Sequence, residues 1–281
     1  FLQILYAGMM KNIRNIIPEH FLSCGLDHFS PSQATCPVDV WVYKYLYCSS
    51  KDRSKFEGSS RMHCGKEVGI AVEDWYLKNE MSKGVKLYSP INDIDKENYE
   101  EDKKGFVPTL ENAIKGFEEV GVRKEHKNFF ENQVNLRAKQ LELPVTGFTD
   151  LQNDKVVIEL KTKWRTRSVS EATGKVTYRK NNPPKKPTRD HLKQAAFYHV
   201  CTKLPTFIVY ATDTGTSVHD IRDFDYQEAF YEFVRSLVVK QNIAAQEHPK
   251  NFVQVDFSDF RWRIGDEYLS RAKELFYGNG I

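Results

Sequence analysis

The eighteen residues 146–163, TGFTDLQNDKVVIELKTK, indicate the fold class of this chain. β-Branched and aromatic residues on both sides of a short polar connection predict two successive strands. The first strand ends at Asp150, and the second ends with Glu159, Leu160 and Lys161. Because alternate side chains of a strand share a face, Glu159 and Lys161 point the same way and Leu160 points into the core. If the two strands pair as a hairpin, Asp150 lies beside Glu159.

Two carboxylates that face one point, with an ammonium group next to them, suit the Mg²⁺-dependent cleavage of a phosphodiester. Carboxylate oxygens hold the hard cation, which polarises the phosphate and lowers the pKa of a bound water. The lysine would orient or deprotonate that water, or offset the charge that develops at phosphorus. The ordinary alternative is an exposed ion pair on a half-buried sheet. Glu-x-Lys also occurs at residues 101–103 and 125–127, but neither occurrence follows a strand-like apolar run with an acid at the matching upstream position.

A concentrated basic stretch follows these strands. Residues 161–193 hold eleven basic and two acidic residues, a local excess of +9 in a chain whose net charge is +3. Such a stretch is a candidate for binding a phosphate backbone, and the alternative is a solvated loop. An aromatic side chain beside basic ones would stack an unpaired base, although a tryptophan is also often buried. The residues of this stretch predicted to contact DNA are Lys163, Trp164, Arg165, Arg179 and Lys180.

The segment after the basic stretch, RDHLKQAAFYHV at residues 189–200, predicts a helix from about Thr188 to Lys203. Gln194 and Tyr198 are four residues apart and therefore lie on one face of it. In an unspecialised helix these two residues would be a rim glutamine and a partly buried tyrosine.

Taken in order, Asp150, Glu159-Leu160-Lys161 and Gln194-x-x-x-Tyr198 resemble the motifs of the PD-(D/E)XK nuclease superfamily. The resemblance is to its RecB-type branch, which includes lambda-type exonucleases, CRISPR adaptation nucleases and mitochondrial genome-maintenance exonucleases. Upstream, residues 29–46 and 65–76 are similar to the N-terminal stretch of the family and to the helix with its first acidic motif. The similarity covers about residues 29–212. Each motif alone is weak, whereas their joint occurrence in this order is specific.

The resemblance implies an α/β, restriction-endonuclease-like core, with a central mixed β-sheet flanked by helices and a helical N-terminal region. It implies that Asp150, Glu159 and the backbone carbonyl of Leu160 ligate Mg²⁺ or Mn²⁺, and that Lys161 is the catalytic lysine. Gln194 and Tyr198 would hold the DNA strand or the active-site loop.

Two departures from the family concern its metals. Glu73 would complete or support the metal site, but Gly69 stands where many members place a histidine or an additional acid. Some relatives carry an iron–sulfur cluster made by one N-terminal and three C-terminal cysteines. The five cysteines here are at 24, 36, 48, 64 and 201. They leave only Cys201 for the C-terminal part, so we expect no cluster.

The composition is that of a globular protein that does not cross a membrane. The 281 residues are 40% hydrophobic and 28% charged, which excludes disordered and fibrous classes and allows a full core. No apolar run approaches the roughly 18 residues of a membrane span, and the apolar N-terminus is a poor signal peptide. An odd number of cysteines without metal-site spacing favours a reducing, intracellular (cytoplasmic) setting.

Periodicity divides the chain into an N-terminal extension (1–28), a helical region with the first acidic motif (29–127) and a core with C-terminal helices (128–281), in one integrated domain. The acidic residues 89–108 predict a solvated loop, 109–124 a helix and 164–187 a long polar segment. TFIVYAT and SVHDIRDF predict a hairpin across residues 213–215, and two helices near 226–246 and 267–276 close the chain.

The leading functional expectation is a Mg²⁺- or Mn²⁺-dependent DNA exonuclease that processes single-stranded or duplex ends in repair, recombination or replication. A single strand would thread through the helical N-terminal region. The alternatives are a structure-selective or restriction-type endonuclease of the same fold, and a non-catalytic DNA-binding protein. The three core residues are all present, whereas a degenerate member would typically lack one. A homo-oligomer or a recombination partner is possible, and a stand-alone nuclease of this size would suit a phage.

Overall fold

The computed structural model describes residues 4–5, 17–53, 59–90, 92–262 and 266–278. Contacts group the chain into two compact units. The first consists of residues 1–57, 133–147 and 227–281, and the second of residues 58–132 and 148–226. The predicted boundaries after residues 28 and 127 remain a prediction, and the proposed N-terminal extension lies largely outside the described residues.

Helices dominate the first part of the described chain, and most of the strands follow them. The helices are α1 (Glu19–Leu22), α2 (Pro31–Thr35), α3 (Val38–Val42), α4 (Ser50–Arg53), α5 (Ser60–Lys78), α6 (Asp93–Glu119), α7 (Arg189–Thr202), α8 (Tyr226–Ala244) and α9 (Asp266–Tyr277). A π-helical turn, Tyr43–Tyr47, continues α3, and short 3₁₀ turns lie at Ile221–Asp223, Pro249–Phe252 and Phe260–Trp262. The strands are β1 (Ile4–Leu5), β2 (Asn132–Ala138), β3 (Val145–Thr149), β4 (Leu151–Gln152), β5 (Val157–Thr162), β6 (Thr166–Val169), β7 (Val176–Arg179), β8 (Thr206–Thr212) and β9 (Gly215–Asp220).

The second unit is built on a four-stranded mixed sheet in the order β4-β5-β8-β9. Strands β5 and β8 are parallel, with Lys161 opposite Tyr210, and the other two pairs are antiparallel. A parallel pair needs a long crossover connection, which here contains the antiparallel hairpin β6–β7 and the helix α7. The α/β fold, with a mixed sheet, flanking helices and a helical N-terminal region, is confirmed.

Helices α5 and α6 pack against this sheet through apolar side chains and two glycines. Val72, Leu110 and Phe117 of the helices share a core with Ile158 and Val209 of the strands. A Cβ at Gly116 would lie 2.5 Å from a methyl of Val209, and one at Gly65 would lie 2.8 Å from the Thr162 hydroxyl. Glycine therefore lets both helices approach the strands closely at these positions.

The acidic residues 89–108, predicted as a solvated loop, mostly belong to α6, so that prediction is wrong. The Asn92 side chain caps the helix by accepting the Asp95 backbone N–H at 2.8 Å. An ion pair of 2.8 Å between Glu100 and Lys103 supports the exposed face. Tyr99 and Phe106 bury the opposite face in the core. The charged composition therefore concealed an amphipathic helix, which continues through Pro108.

The first unit has its own sheet and core. Strands β1, β2 and β3 form a sheet in that order, with Ile4 opposite Ala138. A cluster of buried side chains centres on Tyr43, Trp262 and Tyr268. The Asp39 carboxylate accepts the Trp262 indole N–H at 3.1 Å, which satisfies both buried polar groups.

Of the helices in the described part of the chain, not one combines the length and the apolar character that crossing a membrane requires.

Candidate active site

Asp150 and Glu159 lie opposite each other where β4 pairs with β5. The antiparallel register joins Leu151 to Ile158 and Gln152 to Val157, so the next pair outward is Asp150 and Glu159. The Asp150 carboxylate also accepts the Leu160 backbone N–H at 2.6 Å. The structure therefore brings the two predicted acids together through the predicted hairpin.

Lys161 extends from the same face of β5 as Glu159. Its Nζ lies 2.5 Å from Glu159 Oε1 and donates to Gln194 Oε1 at 3.0 Å. The Glu159 side chain is 3% exposed and the Lys161 side chain 23%, so the amine lies on the solvent side of the carboxylate. The second carboxylate oxygen of Glu159, Oε2, is buried without a hydrogen-bond partner.

Burial and neighbouring charges set the pKa values of Asp150, Glu159 and Lys161. Burial raises the pKa of Asp150 well above its ordinary value, and the charge of Glu159 raises it further. Burial also raises the pKa of Glu159, against the opposing effect of Lys161. For Lys161, burial lowers the pKa, but the two neighbouring carboxylates outweigh burial and leave it raised. The amine therefore keeps its proton at neutral pH.

Gln194 and Tyr198 lie on one face of α7 and hold the lysine. Gln194 accepts from Lys161, and its amide donates to the Tyr198 hydroxyl at 3.3 Å. That hydroxyl donates to the Phe148 carbonyl of β3 at 2.7 Å, and Tyr198 is 2% exposed. The resemblance implied that these two residues hold either the DNA strand or the active-site loop. The contacts fit the second role, because a buried tyrosine does not reach a DNA strand.

The helix α7 begins and ends where its sequence predicts. Thr188 caps its N-terminus by accepting the His191 backbone N–H, and Lys203 ends it in the left-handed conformation with φ +62°. Sequence reasoning missed His191, whose ring nitrogen Nδ1 lies 2.7 Å from the Tyr210 hydroxyl. Burial, together with the charge of Lys161, lowers the pKa of His191 to about 4, so the ring is neutral. The sequence signal that could have identified His191 was its position three residues before Gln194 on the same helix.

Trp164, predicted to stack on a base, lies in the core instead. It is 6% exposed and packs in the apolar cluster between the sheet and the helices α5 and α6. The side-chain amide of Asn181 donates a hydrogen bond to the backbone carbonyl of Trp164. A ring buried in the core is not available to stack on a base, so the stacking prediction is wrong.

Arg165 is paired inside the protein and does not present a free charge. Its Nε donates to Asp213 at 2.9 Å, and its guanidinium lies 3.1 Å from Glu101. Arg167 pairs likewise with Glu97 at 3.1 Å. These contacts tie the hairpin β6–β7 to α6 and to the β8–β9 turn, so the prediction of Arg165 as a DNA contact is not supported.

The other basic residues predicted to contact DNA are exposed. Lys163, Arg179 and Lys180 all have exposed side chains, as do Lys185 and Lys186. Within the described ranges, these five residues take part in no ion pair. Their positive charge therefore remains available to a phosphate backbone.

Glu73, the tentative metal ligand, is half-buried on α5. The pKa of Asp150 is affected by the charges of Glu159, Lys161 and Glu131, and that of Glu159 by Lys161 and Glu131; Glu73 is not among these groups. The structure shows the Leu160 backbone N–H bound to Asp150, whereas the prediction was that the Leu160 carbonyl ligates the metal.

In the part of the chain that the structure describes, no three His, Cys, Asp or Glu side chains form a ready cation site.

The two predicted acids nevertheless fit a hard divalent cation. Mg²⁺ and Mn²⁺ prefer carboxylate oxygens, and Mg²⁺ typically binds one or two of them and keeps several waters. The buried, unpartnered Oε2 of Glu159 is an oxygen that such an ion would satisfy.

Comparison with known proteins gives little. Neither a family model nor a curated protein matches the chain. One similar solved structure is described as the crystal structure of SSO0001. It is 14% identical, covers 76% of each chain and has a TM-score of 0.36, a likeness too low to carry an argument about fold or function.

Proposed function

We propose that this chain is a Mg²⁺- or Mn²⁺-dependent deoxyribonuclease of the PD-(D/E)XK superfamily that acts inside the cell as an exonuclease at DNA ends. The observation that carries the proposal is the convergence of Asp150, Glu159 and Lys161 at one point of a mixed sheet. Gln194, from the helix that follows, supports it by fixing the amine. A chance surface ion pair would explain neither the burial of Glu159 nor the second carboxylate beside it.

Asp150 and Glu159 would hold the divalent cation. When bound, such an ion polarises a phosphoryl oxygen and lowers the pKa of a water molecule. Without a cation, burial is unfavourable for both carboxylates and raises the pKa of each, and the charge of Glu159 raises the pKa of Asp150 further.

Lys161 would act as a cationic hydrogen-bond donor. The carboxylates beside it hold its proton, so it is a poor base for water. Its amine would instead orient the attacking water or offset the charge that develops on the phosphate. Gln194 and Tyr198 would hold the amine in place, because a positioned donor stabilises charge better than a mobile one.

The strand of DNA would follow the exposed basic residues Lys163, Arg179, Lys180, Lys185 and Lys186, which lie beside or within the crossover connection. The preference for ends over internal sites rests on the family resemblance alone.

The test is a time course with 5′- and 3′-labelled single strands and duplexes in Mg²⁺, Mn²⁺ or EDTA. We expect metal-dependent shortening from one end, lost in Asp150→Asn and kept in Asp154→Asn, an exposed control on the same hairpin. Cleavage of closed circular DNA would indicate the endonuclease alternative. Binding without cleavage under every condition would contradict catalysis and favour a DNA-binding protein.

A further inference from the structure

A third acid, Glu131, lies against the pair formed by Asp150 and Glu159. The chain just before β2 runs antiparallel to the chain around β4. Phe129 and Gln152 exchange backbone hydrogen bonds of 2.8 Å in both directions. Counting two residues onward from Phe129 and two back from Gln152 places Glu131 opposite Asp150.

The same register is visible at the next pair and further along β2. The Thr149 hydroxyl donates to the Asn132 carbonyl at 3.4 Å, so these two residues, which the count pairs next, lie close together. The Thr146 hydroxyl and the Asn135 side chain, which the same count pairs, lie 2.9 Å apart. The backbone of Glu131 therefore lies across from Asp150, between two pairs of residues that keep the same register.

The charges agree with this placement. Burial is the main cause of the raised pKa of Asp150, Glu159 and Tyr198, and the carboxylate of Glu131 raises the pKa of all three further. One glutamate thus acts on both proposed ligands and on the tyrosine that supports the lysine.

Glu131 differs from the other two acids in exposure. Glu159 is buried, Asp150 is half-buried and Glu131 is exposed. Glu159 is only 2% exposed, and its Oε2 has no hydrogen-bond partner. An ion seated there would meet the carboxylates of Asp150 and Glu159 on one side and Glu131 on the solvent side.

The backbone of Glu131 is unusual. Its φ is +48°, in the left-handed region. A glutamate there costs about 1–2 kcal/mol relative to an ordinary conformation, and glycine would avoid the cost. Residues held in this way are frequent at functional sites.

We propose that Glu131 supplies the third carboxylate for the divalent cation bound by Asp150 and Glu159, taking the place that the sequence assigned to Glu73. The proposal rests on the proposed function, since it concerns the same cation.

The test is calorimetric titration of the full chain with Mn²⁺ alone, without DNA. We expect Glu131→Gln to weaken Mn²⁺ binding about tenfold. Asp150→Asn should abolish binding, and Glu125→Gln, an exposed glutamate six residues away, should leave it unchanged. Glu131→Gly should weaken binding as Gln does while raising the melting temperature, because it removes both the carboxylate and the backbone strain. That second variant keeps the test valid if Glu131→Gln folds poorly.

The outcomes separate the two proposals. If Glu131→Gln and Glu131→Gly bind Mn²⁺ as the unmodified chain does, while Asp150→Asn does not, the role of Glu131 is overturned and the nuclease proposal stands. An equal loss in Glu125→Gln would reduce the effect to general surface charge, which also overturns it. If the unmodified chain binds no Mn²⁺, both proposals fail.

Discussion

Lys161 keeps its proton because two carboxylates outweigh its burial, and this determines what its removal would do. We expect Lys161→Ala to abolish cleavage while changing DNA affinity by less than about threefold, since the amine acts at the phosphate under attack and not along the backbone. Single-turnover cleavage and fluorescence anisotropy measure the two quantities. Lys155→Ala, at an exposed position in the β4–β5 connection, is the matched control. Normal turnover by Lys161→Ala would remove the lysine from the mechanism.

Trp164 lies in the core, so its replacement should affect folding more than binding. We expect Trp164→Ala to lower the free energy of unfolding by about 3–5 kcal/mol, the usual cost of truncating a large buried aromatic ring. Urea denaturation measures this loss, and Trp164→Phe should lose less because it keeps most of the apolar volume. A stable Trp164→Ala protein with weakened affinity for single-stranded DNA would restore the stacking role.

Asp102 couples stability to pH. It is 1% exposed, its Oδ2 has no hydrogen-bond partner, and burial raises its pKa to about 7. Since its folded pKa lies above the unfolded value, its contribution to stability is present below about pH 4 and is lost as the pH rises through 7. We expect the free energy of unfolding to fall less between pH 5 and pH 8 in Asp102→Asn than in the unmodified chain, by up to roughly 3 kcal/mol. Guanidinium titrations at both pH values test this, and equal slopes would contradict it.

At the scale of elements, two helix glycines should respond to alanine in opposite directions. On α6, the Cβ of Gly116→Ala would overlap Val209 and Thr216, so we expect a loss of about 1–3 kcal/mol of stability. On α5, the space around Gly69 is open within 4 Å, so Gly69→Ala should gain up to about 1 kcal/mol from helix propensity. Melting temperatures of the two variants measure both effects. A stabilised Gly116→Ala would mean that α6 lies further from the sheet.

Elements with a local signal could be predicted from the sequence, and those that depend on distant partners could not. The strand β5 and the cap of α7 follow from short apolar runs and from Thr188. The first half of α6 was missed because its buried face has few apolar residues among many charges, and the β6–β7 hairpin was read as a polar segment.

The same distinction holds at the candidate site. Asp150, Glu159 and Lys161 are joined by one hairpin, so their register could be counted along the sequence. Glu131 is brought to them by a different segment, and nothing local marks it except its place before a strand. Trp164 and Arg165 were misjudged because a position next to the active-site strand says nothing about exposure.

At the scale of the whole molecule, the local excess of positive charge is smaller than the sequence suggests, because Arg165 and Arg167 form ion pairs with acidic side chains of the same protein. The exposed basic residues of the crossover connection should dominate the salt dependence of DNA binding. We expect reversal of their charges to weaken binding and to flatten the plot of log K against log salt by about 0.9 for each duplex phosphate that is no longer neutralised. The residues to reverse are Lys175, Arg179, Lys180, Lys185 and Lys186.

The control for this experiment is the reversal of Lys66 and Lys83, two exposed lysines outside that connection. Their reversal should change the slope little. An unchanged slope in the fivefold variant would show that DNA follows another surface.

The order in which the candidate site is assembled follows from its topology. The two carboxylates belong to one tight hairpin, whereas the amide that fixes the amine is 33 residues beyond the lysine, on the helix of the parallel crossover. Short loops close sooner than long ones. A nascent chain would therefore bring its acids together first and immobilise its lysine only once α7 has emerged and docked. The site would then become able to catalyse cleavage only when the sheet is complete.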